Sequence, residues 1–366
     1  VNELKYNLRN KNSDFLEAHI LLVLDSISKN NLKESLNYLE KLAKFKDDGA
    51  LELIIYTSLR DYIYLFQNKK IPISKNNFGN LSLINKVFQN CYLDSSRTIN
   101  YFDSLTKNNG GDYSRYIYFY IGYLIKKNQT NEAINLSDKI DTLSSPLLVS
   151  QAKEWVDQRK FEKFKDSFSC KSETDILSEF FFLLANIYSN ENILEKSNIF
   201  LNISYYLNPK FNFNLSLLSD NYYNSNNYEI SKKLLKNFKK NNNVYYWYRV
   251  KKESKIILKE KGEKNSFSFI NTKFKKIKNP SIKILFDMAN ISKNFKKYDL
   301  AIKYYSEVIP TIEQNSKLYA DILYRRGGSY ERLGKFNKSD NDLMNSLKVI
   351  PDDAYVLNYL AYSWLE

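Results

Sequence analysis

Ala320 to Asp353 reads ADILYRRGGSYERLGKFNKSDNDLMNSLKVIPDD, and the reading of this stretch decides the fold. Its apolar and small residues recur at helical spacing in two runs. With Ala320 as position 1, Leu323 stands at 4, Gly327 at 8, Tyr330 at 11, Ser339 at 20, Leu343 at 24, Ser346 at 27 and Pro351 at 32. Two antiparallel helices that approach closely need small residues where they touch, and Gly327, Ser339 and Ser346 supply them. Gly334 breaks the first helix before a short turn. Pro351 stops the second, because it has no amide hydrogen to give and clashes with a continuing helix. The stretch predicts one helical hairpin.

The same unit recurs along the chain. Ser178 to Phe211 carries Phe181, Ala185, Tyr188, Ser197, Leu201, Ser204 and Pro209 in the same register, and the next copy starts at Asn212 with Leu215, Ser219, Tyr222, Ser231 and Leu235. Ile282 opens another with Leu285, Ala289, Ala301, Tyr305 and Val308, and Ser114 to Ser145 one with Ile117, Ile121, Leu124, Ala133 and Ile140. Leu16 to Asp48 is a first copy with Val23 at position 8 and Ser35 at 20, and Leu357, Ala361 and Trp364 begin a last one. Val244 to Pro280 is a divergent copy, Leu81 to Lys107 fits loosely, and Leu147 to Phe168 shows a helix or helix pair without clear phase. QNKKIPISKNNFGN, at Gln67 to Asn80, reads as a loop or hairpin turn, and NNGG at Asn108 to Gly111 as punctuation.

This pattern, at a period of 34, resembles the tetratricopeptide repeat. The resemblance implies an all-α, right-handed superhelical solenoid of antiparallel helix pairs. Residues 1–176 are expected to form degenerate repeats. Residues 177–366 are expected to form a better-formed array, continuous with the first and truncated in its last repeat. VLNYLAYSWLE at Val356 to Glu366 is similar to an LNYLGYSW element of alphaproteobacterial proteins of this type, with Ala361 in place of Gly. ISYYLNP at Ile203 to Pro209 and YYWYRV at Tyr245 to Val250 add to that bacterial likeness. Such proteins are described as repeat-containing, and some are exported.

Composition agrees with helices. Nine glycines and six prolines in 366 residues are too few for a sandwich or a Gly-rich nucleotide fold, while 43% apolar residues, rich in Tyr and Phe, suffice for a continuous core. Heavy use of Asn, Lys, Ile, Tyr and Phe is expected of an AT-rich coding genome. Cys91 and Cys170 stand far apart and match no metal pattern, so neither a disulfide framework nor a zinc site is expected. No stretch approaches the roughly 18 to 20 apolar residues of a membrane helix, and the polar start VNELKYNLRNKNSD is not a signal peptide. A chain that begins at Val1 and stops in a helical pattern at Glu366 is expected to be a fragment, with cytoplasmic and exported, periplasmic locations both open.

Catalytic chemistry finds little support. His19 is the one histidine, and it falls on the packing side of the first hairpin. No phosphate-cradling glycine motif occurs, and the acidic residues stand singly on predicted solvent faces. No enzyme, cofactor or metal is expected. In superhelices of the resembled type, the first helix of each pair lines a groove through positions 2, 5, 9, 12 and 13. These positions give Phe182, Asn186, Asp220, Phe286, Asn290, Tyr324, Arg332, Asn358 and Tyr362 as candidate contacts for a peptide or partner protein. Asn186 and Asn290 suit a peptide backbone, and Phe286 and Tyr324 suit apolar anchoring. The Lys and Asn pattern of the carboxylate-clamp type is not reproduced.

Charge is concentrated in one place. Between Lys232 and Lys283 stand 17 Lys or Arg against three Glu, which equals the whole formal excess of +14. This basic segment, residues 232–283 with Lys251, Lys252 and Lys255 at its centre, admits three readings. It is a solvated face, or a surface that attracts an acidic protein or anionic membrane. Alternatively it contacts nucleic-acid phosphates, with Tyr245, Tyr246, Trp247 or Tyr248 available for stacking. Against the last, Trp247 and Val250 have core spacing and arginine is scarce. The expected function is a non-catalytic protein-interaction scaffold, with a nucleic-acid-binding solenoid as the alternative.

Overall fold

Six of the helical hairpins turn through one left-handed residue at the same place in the register. At position 15 stand Asn30, Asn128, Asn192, Asn226, Lys296 and Gly334, with φ of 56°, 59°, 58°, 60°, 55° and 68°. The amide of the following residue donates to the carbonyl five residues back, as in Asn31 to Ser26, Ile193 to Tyr188 and Lys335 to Tyr330, at 2.8–3.0 Å. This arrangement satisfies carbonyls that a helix end leaves without partners. Asparagine tolerates the left-handed region better than other residues with a Cβ, which gives four of these asparagines a structural reason. Asp94 and Arg159 make the same turn, with Ser95 and Lys160 donating to Asn90 and Trp155. The pair formed from Leu147 to Phe168 therefore does have a phase, which places Ala152, fully buried, at position 8.

The structure is a computed structural model that describes residues 15–73, 76–107 and 113–365. The start at residues 1–14 and the NNGG stretch lie outside the described residues. Among the described residues there are nineteen α-helices and no strand, an all-α helical solenoid of antiparallel pairs. In chain order they are α1 (Leu16–Ser28), α2 (Leu32–Leu42), α3 (Ala50–Asn68), α4 (Asn80–Leu93), α5 (Thr98–Thr106), α6 (Arg115–Lys126) and α7 (Thr130–Asp138). Then come α8 (Leu147–Asp157), α9 (Glu162–Ser167), α10 (Glu173–Asn190), α11 (Leu194–Leu207), α12 (Asn214–Asn224) and α13 (Tyr228–Leu235). The last are α14 (Asn243–Phe274), α15 (Ile282–Asn294), α16 (Tyr298–Val308), α17 (Lys317–Glu331), α18 (Phe336–Val349) and α19 (Ala354–Leu365). Side chains of Asn31, Ser172, Asn227, Asn242, Ser281 and Ser316 accept from amides in the first turns of α2, α10, α13, α14, α15 and α17. None of the described helices is long and apolar enough to cross a membrane.

Small residues do more than permit close approach. At position 20, Ser197 and Ser231 donate to the carbonyls of Ala185 and Ser219 at position 8, at 2.8 and 3.0 Å. Ser266 does the same to Ser254 at 2.7 Å, which sets the register of the divergent copy. At position 27, Ser346 donates to Ala320 at 2.9 Å, and Ser204 to Ser178 at 2.7 Å. These serines are almost wholly buried, so their hydroxyls need partners, and the facing helix backbone supplies them. Gly327 is a contact point of the same kind. A Cβ there would stand 3.1 Å from Cγ of Leu343 and 3.3 Å from Cβ of Asp342.

The chain divides into two compact units. Residues 1–140 and 148–237 form the first, and residues 141–147 with 238–366 the second. In the first unit α10 packs on α1 as well as on α11, and Tyr62 of α3 meets Phe180 of α10 edge-on at 6.2 Å. Cys91 at the end of α4 and Cys170 before α10 are joined by a disulfide, with Cα atoms 5.6 Å apart across a sequence separation of 79. This corrects the expectation of no disulfide. The fold, not the spacing, brings α4 and the turn before α10 together, so nothing in the residue pattern announces the bond.

In the second unit Trp247, Val250, Ile270, Met288, Ala289, Tyr305 and Ile322 form the core, and Leu143 of the 141–147 segment is buried among them. α14 is itself a hairpin, bent at Gly262, whose φ of 78° and ψ of 177° belong to a region that glycine alone occupies readily.

Candidate functional site

In the second unit, α15, α17 and α19 are the first helices of successive pairs, and their register places the candidate side chains. Phe286 of α15 is half-buried, edge-on to Tyr305 at 6.2 Å. The guanidinium of Arg325 stands 5.9 Å from its ring centre. One turn on, the Oδ1 of Asn290 accepts from the Tyr305 hydroxyl at 2.6 Å and from Nη1 of Arg325 at 3.3 Å. Arg325 is braced in turn by Asp321 at 2.8 Å. Two donors on the carbonyl oxygen fix the sense of the Asn290 amide and leave its NH2 donors outside these bonds. Burial pushes the Tyr305 phenol up, with the charge of Asp321 adding and Arg325 opposing, so it stays a neutral donor.

Tyr324 follows on α17, half-buried, edge-on to Tyr359 at 6.0 Å, with the Lys293 ammonium 5.8 Å from its ring centre. Burial and the nearby charge of Arg325 hold Lys293 below the ordinary lysine range, with Asp321 opposing and Arg332 adding to the depression. Arg332 is exposed, 3.5 Å from Glu331. Glu331 also accepts from the Tyr359 hydroxyl at 2.9 Å. On α19, Asn358 is exposed, and Tyr362 lies in the helix with its side chain outside the described residues. The face therefore joins apolar rings to three closely set cations, Lys293, Arg325 and Arg332, against Asp321 and Glu331.

The candidates in the first unit have different surroundings. Phe182 is only 6% exposed, with Arg115 stacked 3.8 Å from its ring centre and Phe213 5.8 Å away. Arg115 makes a bidentate pair with the buried Glu179. Asn186 and Asp220 are half-buried on α10 and α12. Arg325 and Tyr359 contact the face of the candidate residues but are omitted by the register positions. Both stand at position 6, from which long side chains reach back to the preceding first helix.

The basic residues lie on α14. Lys251 pairs with Asp287 at 2.6 Å, and Trp247 donates to the same carboxylate at 2.9 Å. Lys252 sits over the Tyr248 ring at 5.6 Å, and Lys255 is exposed. Tyr246 and Trp247 are 5% and 2% exposed, which removes them as stacking surfaces. Tyr245 and Tyr248 pack edge-on against Phe238 at 5.5 and 5.3 Å. Among the described residues no cluster of His, Cys, Asp or Glu is arranged to hold a metal ion.

The tetratricopeptide repeat family model matches residues 320–353. That span is the stretch quoted at the outset, α17 from its fourth residue, α18 and the turn that follows each. No curated protein matches the sequence significantly. Among solved structures, the Cut9–Hcn1 hetero-tetramer of the APC/C aligns with a TM-score of 0.37 and 12% identity, over 95% of this chain and 77% of that one. The P58(IPK) TPR domain aligns with a TM-score of 0.27 and 14% identity, over 95% and 97%. The human IFIT1 dimer with m7Gppp-AAAA gives 0.28 and 12%, over 96% and 94%. These superpositions are loose, and the repeated hairpin geometry within the chain defines the fold.

Proposed function

We propose that the chain is a non-catalytic protein-interaction scaffold whose second unit receives an extended, acidic peptide across α15 and α17. The observation that carries this reading is the braced Asn290. Tyr305, Arg325 and Asp321 hold its amide in one orientation, so its donors meet a peptide carbonyl without first losing rotamer freedom. Phe286 and Tyr324 offer ring faces on either side for apolar anchoring. Lys293, Arg325 and Arg332 favour a partner that carries carboxylates. The test is affinity capture with the full chain and with a variant carrying Phe286→Ala, Asn290→Ala and Tyr324→Ala, both checked by circular dichroism. Loss of a defined partner from the folded variant supports the groove; unchanged recovery removes it.

A second reading rests on the tip of the α14 hairpin, where Lys255, Lys259, Lys261 and Lys264 are all exposed. Such a tip suits a phosphate backbone better than base recognition, since the neighbouring aromatic rings are packed away. Titration with labelled single-stranded RNA at two salt concentrations decides it. Binding that is absent at low salt, or indifferent to Lys255→Gln and Lys259→Gln, excludes the nucleic-acid reading.

A further inference from the structure

The first unit holds a cavity of about 130 Å³ between α6 and the 164–171 segment. Its floor is aromatic and closed to solvent: Tyr118, Phe119 and Phe164 are 1%, 3% and 2% exposed. The Cys91–Cys170 disulfide forms part of the wall. Its mouth carries Lys126, Lys127 and Lys171, all exposed, against one exposed carboxylate, Asp94. Apolar cavities of about 150 Å³ accept a benzene ring, so this space, mouth included, is close to the size of one aromatic ring.

The three ammonium groups are not equivalent. Lys127 is paired with Asp94 at 2.5 Å. Lys126 donates to the Ser169 hydroxyl at 3.1 Å, and Lys171 to the backbone carbonyl of Tyr92. Both of these acceptors are neutral, so they use one donor of each ammonium without cancelling its charge. Asp94, which also lines the mouth, and then Asp175, which accepts from the Ser169 amide at 2.8 Å, offset part of the field at Lys126, yet burial and the charges of Lys171 and Lys127 still hold Lys126 below the usual lysine range. An anion at the mouth relieves that crowding. Two lysines without an arginine suit a single carboxylate better than a phosphate, which favours the bidentate arginine fork.

We propose that this cavity binds a small aromatic carboxylate, its ring on the floor formed by Tyr118, Phe119 and Phe164 and its carboxylate between Lys126 and Lys171. The site is separate from the peptide groove of the second unit, and neither reading depends on the other. Gly122 of α6 lines the cavity, and a Cβ there meets Phe164 at an ordinary 3.6 Å. A larger side chain at this helical position fills the space without backbone strain.

The test is calorimetric titration of the full, disulfide-bonded chain with 3-phenylpropionate. One saturable site is expected. Lys126→Met and Lys171→Met, both at exposed positions, each weaken binding about tenfold or more, and 3-phenylpropanamide, which lacks the charge, weakens it likewise. Gly122→Leu abolishes binding while circular dichroism and the melting curve stay as in the parent. Absence of saturable binding to the parent chain at millimolar ligand overturns the proposal. So does binding that survives Gly122→Leu or ignores both lysine substitutions.

Discussion

Arg326 and Asp342 tie α17 to α18 inside the decisive stretch, and cutting this tie tests whether the hairpin is held as described. Nε and Nη2 of Arg326 reach the two carboxylate oxygens of Asp342 at 2.7 and 2.8 Å, and Nη1 reaches Ser306 at 3.0 Å. The Asp342 side chain is 2% exposed and that of Arg326 18%. Burial alone disfavours the guanidinium charge, but Asp342 outweighs it and raises the Arg326 pKa. Arg326→Met strands a carboxylate away from water, and breaking a buried pair from one side costs about 3–5 kcal/mol. A ceiling follows from chemistry, because a stranded carboxyl escapes by taking up a proton. At pH 7 that escape costs an ordinary carboxyl about 4 kcal/mol, so the penalty of Arg326→Met should lie near about 3–4 kcal/mol.

The partner substitution behaves differently. Asp342→Asn leaves a guanidinium that keeps Ser306 and some access to water, so its cost should be smaller, about 2–3 kcal/mol. Replacing both, with Met at 326 and Leu at 342, restores apolar contact and should come within about 1 kcal/mol of the parent. The assay is urea unfolding, with hydrogen exchange of residues 317–349 to localise the loss, since hairpins in such arrays depend mainly on their neighbours. Protonation becomes cheaper in acid, so the Arg326→Met defect should shrink toward about pH 4. A cost below about 1 kcal/mol, or a defect that ignores pH, would refute the account of this pair.

Three further perturbations bear on the rest of the chain. His19 is buried beside Phe45, and burial, then the nearby charge of Lys41, lower its pKa below 6.5; its contribution to stability is full above about pH 6.5 and is lost as pH falls, because the unfolded chain takes the proton first. Denaturant midpoints of the parent should decline over that window more steeply than those of His19→Leu. Reducing the disulfide, or Cys91→Ala with Cys170→Ala, should lower the stability of the first unit by about 2–4 kcal/mol, read as a lower urea midpoint. Gly262→Ala meets no atom within 4 Å, so any loss is conformational. It should cost about 1–3 kcal/mol by urea unfolding, concentrated in α14.

What could be read from the residues alone were contacts inside a hairpin, and the reason is geometric. Positions 8 and 20 are separated by 12 residues and positions 1 and 27 by 26, so a close approach such as Ser197 on Ala185 or Ser346 on Ala320 leaves a periodic trace of small side chains. Asparagine looked like compositional bias, yet Asn30, Asn128, Asn192 and Asn226 hold the left-handed turns. A fixed interval before the serine or alanine at position 20 was the signal that distinguished them. The pair at 147–168 was illegible because its turn residue is Arg159, which no propensity marks as left-handed.

Contacts between hairpins leave no such trace. Arg325 reaches Asn290 across 35 residues, and Tyr359 reaches Glu331 across 28, from a position that the groove register does not include. Arg115, Tyr118, Gly122 and Lys126 occupy positions 2, 5, 9 and 13 of the Ser114 copy, so extending the groove register to that copy would have named one wall of the aromatic cavity. Its opposite wall comes from the 164–171 segment, held in place through Cys170. Periodicity can nominate a face, but the element that covers it depends on non-local packing, and that packing decides whether the face becomes a groove, a pocket or buried core. Phe182 and Phe286 show the difference. Both stand at position 5 of their copies, yet Arg115 covers the first with a buried ion pair behind it, while the second keeps part of its ring exposed.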